Sequence, residues 1–239
     1  MRKSHICLAL IFLVGIAVFA IPALPSSPVD PSANWGLISG VLVLLAVAAF
    51  FFEFESYALS SKELALVSML GTVSAVLRIP FVALPNVQPS TYLIICSGYV
   101  FGPVAGFMVG AMTPLISNLF LGMGPWTPYQ MFAWGLAGVS AAYFKRLGPN
   151  RVWLTLFAIL WGYIYGVIMD TWFWATFVYP LTLRTFIVTK TSGLWLDTFH
   201  AIGNGILFSL FGMRTISILE RFRRRFNLRG ISPFQIELK

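Results

Sequence analysis

The chain has 239 residues, of which 58% are hydrophobic and only 10% charged, against about 25% charged in a soluble domain. Sixteen basic and eight acidic residues cannot coat so apolar a chain in water, which argues against a soluble enzyme, a disordered tail and a disulfide scaffold. The formal charge of +8 would suit nucleic acid in a soluble protein; in a membrane protein its distribution carries the information.

Eight apolar segments run along the chain, at residues 6–23, 36–52, 64–82, 92–101, 104–121, 129–144, 152–178 and 194–213. A spanning helix needs about 20 residues, range about 17–25, and most of the eight fit. Arg2 and Lys3 would suit a secretory leader, but the apolar run is long and Ile21-Pro22-Ala23-Leu24-Pro25 is a poor cleavage site, so a retained helix is expected. The first two segments are plain Leu, Val, Ala, Ile and Phe. From Lys62 onward polar residues, glycines, prolines and tryptophans enter the apolar runs. The expected organisation is a two-helix extension (1–59), a six-helix core (60–214) and a basic tail (215–239). Residues 92–101 make only half a span. They are either the first part of one long span broken at Gly102-Pro103 or a short helix followed by a tight turn.

Basic residues decide between these. With eight spans and both ends in the cytoplasm, thirteen of the sixteen lysines and arginines face inward, and only Arg78, Arg184 and Lys190 face outward, as the positive-inside bias requires. Merging 92–121 into one span would put the basic 145–151 loop and the arginine-rich tail outside. The fold class expected is therefore an all-α bundle of about eight transmembrane helices in the plasma membrane. The tail, from Glu220 to Arg229, mixes arginine with phenylalanine. Attraction to anionic lipid, worth about 1 kcal/mol per basic residue near the surface, accounts for it without nucleic acid.

Glycines recur every fourth residue at Gly98, Gly102, Gly106 and Gly110, and again at Gly162 and Gly166. In lipid such small residues mark close backbone approach, here read chiefly as internal packing. Polar residues gather at the outer ends of the core spans: Arg78, Asn86, Gln88, Asn118, Gln130 and Asp170, with Asp197, His200 and Asn204 on one face of the last span at spacings of three and four. Trp126 and Tyr129 stand beside them as aromatic walls. Ionisable groups at such depth cost on the order of 2.5–3.5 kcal/mol and normally face a bundle interior or wet cavity. Two readings stand side by side: a ligand site in which Asp197 accepts from His200, and a structural network with interfacial tryptophans. No Walker loop, nucleophile elbow or paired-histidine metal spacing occurs, so neither metal nor cofactor is expected.

The stretch from Tyr99 through Gly102-Pro103, Gly106 and Gly110 to Gly124-Pro125-Trp126-Thr127-Pro128-Tyr129-Gln130, followed by Ala133-Trp134-Gly135, resembles the substrate-binding S components of energy-coupling factor (ECF) transporters. The likeness covers roughly residues 60–214. It implies a non-enzymatic subunit that captures a vitamin or related micronutrient from outside and works with a transmembrane T component and two cytoplasmic ATPases. It also implies an external cavity built from residues 79–91, 122–128 and 179–193. The Gly-Pro-Trp-Thr-Pro loop looks like a subgroup linked with cobalamin or its precursors. The family often carries small residues four apart on its first core helix, facing the T component; the nearest pattern here is Ser68, Gly71, Thr72 and Ala75. Two N-terminal helices exceed the usual six. Two other classes compete: an intramembrane enzyme on a lipid or prenyl substrate, with Asp170, Asp197 and His200 as its acid–base set, and a structural subunit whose glycine faces only hold partners.

Overall fold

A computed structural model describes residues 35–56 and 61–225, together with scattered helical positions between 3 and 14. The expected first span, the cleavage region, the 24–31 loop, the boundary near Ser60 and the tail beyond Arg225 lie wholly or largely outside the described residues. Among those described, the chain is helical and without strands. In order come α1 (Trp35–Ser56), α2 (Ser61–Arg78), α3 (Pro89–Phe101), α4 (Pro103–Leu121), α5 (Thr127–Phe144), α6 (Arg151–Phe177), α7 (Leu183–Leu207) and α8 (Met213–Arg225), with 3-10 turns at Ile79–Phe81 and Lys145–Leu147. Five stretches are long and apolar enough to cross a membrane: Gly36–Ser56, Ser61–Phe81, Pro103–Leu121, Arg151–Phe177 and Leu183–Arg225.

The Gly102-Pro103 junction is a tight turn. Gly102 takes φ 96°, a conformation open to glycine without strain, and its N–H closes α3 on Gly98 O at 2.9 Å. Pro103 then starts α4 where no N–H is needed. The two helices fold back on each other so closely that a Cβ on Gly106 would lie 2.6 Å from Gly98 Cα. Gly138 of α5 completes the junction, overlapping with any Cβ added at Gly98 or Gly106. The four-residue glycine repeat is thus internal packing. It lets α3, only 13 residues long, be enclosed by neighbouring helices, which is where a short segment survives at membrane depth. Ile94, Ile95, Val100, Phe107, Trp134, Leu154 and Phe208 form the fully buried centre.

The last span differs from the expectation. The helix begins at Leu183, eleven residues before 194, and passes through a π-helical turn (Phe208–Gly212) into α8. The reason is local. Thr182 caps the helix by accepting from Thr185 N, with Thr185 reciprocating, and Thr189, Thr191 and Ser192 hand their hydroxyls to the carbonyls four residues back. A polar sequence is thereby made helical, and the loop expected at 179–193 shrinks to residues 178–182. At the other end of the bundle Lys145 pairs with Glu220 at 3.7 Å and Arg223 donates to Val100 O at 2.9 Å, so the basic 145–150 turn and α8 sit together. Helix α1 packs on α4, α5 and α6, with Phe50 stacked on Phe107 at 3.9 Å between centroids.

Candidate functional site

Arg78 closes α2 and is 6% exposed. Its Nε donates to Gln88 Oε1 at 3.1 Å, and Nη1 donates to Asn118 Oδ1 at 3.1 Å and to the Ser117 hydroxyl. The guanidinium lies over the Trp134 ring, 4.6 Å from its centroid, a favourable cation–π position. Asn118 donates in turn to Thr127 Oγ1 and Gln130 Oε1, both at 2.9 Å. One chain of hydrogen bonds therefore ties α2, the start of α3, α4 and α5 together behind a single cation. Asn86, at φ 51°, donates to Leu196 O at 3.0 Å and fastens the preceding loop to α7.

The second wall is the α6–α7 pair. Lys190 donates to Asp170 Oδ2 at 2.8 Å and also to Asp197 Oδ2. Lys190, Gly193 and Asp197 lie three and four residues apart and so share a helix face. The two helices pack antiparallel in a four-residue register in which a small residue faces a carboxylate. A Cβ on Gly193 would stand 2.8 Å from Asp170 Oδ1, and one on Gly166 would overlap the Asp197 carboxylate. Gly162 faces Ala201 in the same way, 2.5 Å from its Cα. Between the walls lies a cavity of about 480 Å³, to which Arg78, Asn86, Gln88, Gln130, Asp170 and Asp197 all contribute.

The remaining expected site residues stand elsewhere. Asn118 is behind the wall, holding Arg78 and Gln130. His200 and Asn204 are fully buried below the cavity. His200 Nε2 lies 2.8 Å from the Thr91 hydroxyl, which also accepts from Trp134 Nε1 at 2.9 Å, and its ring meets Tyr165 edge-on at 4.9 Å. Asn204 donates to Ala158 O at 3.1 Å. The Asp197–His200 pairing expected from spacing is therefore corrected: Asp197 turns to Lys190 and His200 to Thr91. Asp170, Asp197 and His200 do not assemble as an acid–base set. Trp126 and Tyr129 do not wall the polar cavity either. Tyr129 shares a 2.7 Å hydrogen bond with Ser39 of α1 and, with Trp172, lines a separate apolar cavity of about 340 Å³; Trp126 meets Trp172 edge-on at 6.4 Å.

Two of the four residues expected on the partner face turn inward. Gly71 and Ala75 are buried, with a Cβ on Gly71 lying 3.1 Å from Met112 Cβ of α4. Ser68 is half-buried and Thr72 is exposed, its hydroxyl turned back to Ser68 O at 2.8 Å. Outward on α2 stand Leu64, Met69, Val73 and Val76. Lys190 is the principal site residue that sequence reasoning missed. The seven-residue spacing to Asp197 would have shown it, had the helix been started at Leu183.

A family model described as ECF transporter, substrate-specific component, matches residues 62–220. A UPF0397 protein of Vibrio atlanticus is 27% identical over 74 residues, 31% of this chain and 40% of that protein. A UPF0397 protein of Aliivibrio fischeri is 23% identical over 104 residues, 41% of this chain and 56% of that protein. The chain thus spans about half the length of these curated relatives. No solved structure matches. The family match runs from the first turn of α2 into α8 and takes in both walls of the cavity; the chain belongs to the family of ECF-transporter substrate-specific components.

Proposed function

We propose that this protein is the ligand-capturing subunit of an ECF-type importer and that it takes an organic micronutrient into the cavity between Arg78 and the Asp170–Lys190–Asp197 cluster. The observation that carries the reading is the convergence of six polar or charged side chains from five parts of the chain on one cavity, within a bundle belonging to this family. Ionisable groups inside a membrane bundle normally mark a pathway or binding site. The cavity end faces the exterior of the plasma membrane, and the end holding the 145–150 turn and α8 faces the cytoplasm, where the basic residues belong. A T component and two ATPases would supply the movement that releases the ligand inward. The volume of about 480 Å³ sits in the lower half of the ~300–1,000 Å³ range of small-molecule sites. That favours a vitamin or precursor of modest size over an intact cobalamin.

The test is co-purification. Protein extracted from its native membrane and then denatured should release one micronutrient, identified by mass spectrometry. The double variant Arg78→Gln/Asp170→Asn should release at least tenfold less per mole. Equal release from the folded variant would place the ligand outside this cavity.

A further inference from the structure

We infer that the ligand is a bipolar molecule, carrying an anionic oxygen at one end and a protonated or cationic nitrogen at the other. This rests on the reading of the cavity as the ligand site and goes on to its chemistry. Arg78 has only neutral partners. Gln88, Ser117 and Asn118 occupy Nε and Nη1, Trp134 offers its face, and no hydrogen bond from Nη2 is made to any described residue. Among the described residues no carboxylate pairs with it. The side chain is nevertheless more than nine-tenths buried and lines the cavity. A buried cation without a counter-charge is costly, and guanidinium N–H groups form their strongest hydrogen bonds with carboxylate or phosphate oxygens. The α2–α4 wall therefore carries one uncompensated positive charge, with its remaining donors open to the cavity.

The α6–α7 wall has the opposite imbalance. Two carboxylates, Asp170 and Asp197, share the single ammonium of Lys190 through their Oδ2 atoms, which leaves one negative charge. Neither Oδ1 makes a hydrogen bond to a described residue, and both residues line the same cavity. A ligand with one charge of each sign would neutralise both walls together. A singly charged ligand would satisfy one wall and leave the other unpaired, and a neutral ligand would satisfy neither. Asn86, Gln88 and Gln130 lie between and supply neutral hydrogen bonding.

Thermal unfolding of the full chain, reconstituted in lipid nanodiscs, tests this with six probes. Diaminopelargonate is a zwitterionic carboxylate, pyridoxamine phosphate a zwitterionic phosphate, pantothenate and biotin single anions, thiamine a cation and riboflavin a neutral molecule. At least one zwitterion should stabilise the protein more than any other probe, and the carboxylate and phosphate arms separate the two sources of anionic oxygen. Gln88→Glu sets a carboxylate against Arg78 Nε without changing side-chain shape, and Asp170→Asn removes the excess negative charge. Each should weaken zwitterion binding at least tenfold. If thiamine, riboflavin or a single anion stabilises as strongly as the zwitterions and loses that effect in these variants, the cavity is the site but the bipolar class is wrong. If no probe stabilises, or if both variants leave stabilisation unchanged, the cavity reading and the inference fall together.

Discussion

Replacing Gly166 by alanine is the most direct test of how α6 and α7 carry the site. The added methyl would overlap Oδ1, Cγ and Oδ2 of Asp197 at once, so rotating the carboxylate gives no relief. To recover an ordinary contact of ~3.5–4 Å, the carboxylate must retreat by more than about 1 Å, which breaks its bond to Lys190. Separation of the helices is opposed one turn away, where Gly162 already lies against the Ala201 backbone. Overpacking costs about 1–3 kcal/mol. Loss of a partly exposed ion pair adds about 1 kcal/mol, and the better helix propensity of alanine returns about 1 kcal/mol. The net is about 2 kcal/mol, or roughly 4–8 °C in Tm for a chain of this length. The fully buried thiol of Cys96 provides the assay: a thiol-reactive fluorophore reports unfolding in detergent as that side chain becomes accessible. Gly193→Ala should cost less, because the Asp170 side chain it meets at 2.8 Å is 19% exposed and freer to move. A Gly166→Ala protein as stable as the wild type, or less affected than Gly193→Ala, would refute the register and with it the placement of the Asp197 carboxylate.

Three further outcomes follow from the same geometry. Gly71→Leu with Ala75→Leu should lower Tm by more than 5 °C and weaken ligand binding with it, because both positions are buried against α4 and overpacking there costs about 1–3 kcal/mol per site; a stable variant that binds normally but no longer assembles would restore the partner-face reading. Asn204→Ala removes the bond to Ala158 O and should cost about 1 kcal/mol, while His200→Ala opens a void beside Tyr165 and Thr91 and should cost about 2–3 kcal/mol; neither folded variant should change ligand affinity more than threefold, measured by titration well below Tm. In a background with Cys7 and Cys96 replaced, Met123→Cys and Leu147→Cys, at exposed turns on either end of α5, should react with an impermeant thiol reagent from opposite sides of the membrane, Met123→Cys from outside; reaction from one side would sink the proposed orientation.

Much of the scaffold was legible in the sequence. Hydrophobicity marks helices in lipid because every backbone polar group must be satisfied within the segment, and the seven segments from 36–52 onward each coincide with a helix. Gly102-Pro103 was readable as a turn because the residue types leave little else possible there. The start of α7 was missed because Arg184, Thr185, Thr189, Lys190 and Thr191 look like loop residues. Their hydroxyls are satisfied along the helix and their lysine by two carboxylates, neither of which periodicity reveals.

What the sequence by itself determined is the helical membrane class, the family resemblance and the set of polar residues near one end of the bundle. It could not sort that set, because helical spacing tells which residues share a face and not what the face meets. Asp197, His200 and Asn204 do share one face, yet only Asp197 reaches the cavity; the other two are sealed beneath it by Thr91, Trp134 and Ala158. Gly71 and Ala75 carry the same small-residue signal whether they meet another subunit or another helix of the same chain, since close packing is the driving force in both. Trp126 and Tyr129 were drawn to the ligand by type, but α1 claims Tyr129 through Ser39 and leaves Trp126 beside Trp172. Only the tertiary structure brought Lys190 between Asp170 and Asp197 and left Arg78 facing them without a counter-charge, because those pairings depend on the register of α6 against α7 and on the space between α2 and that pair.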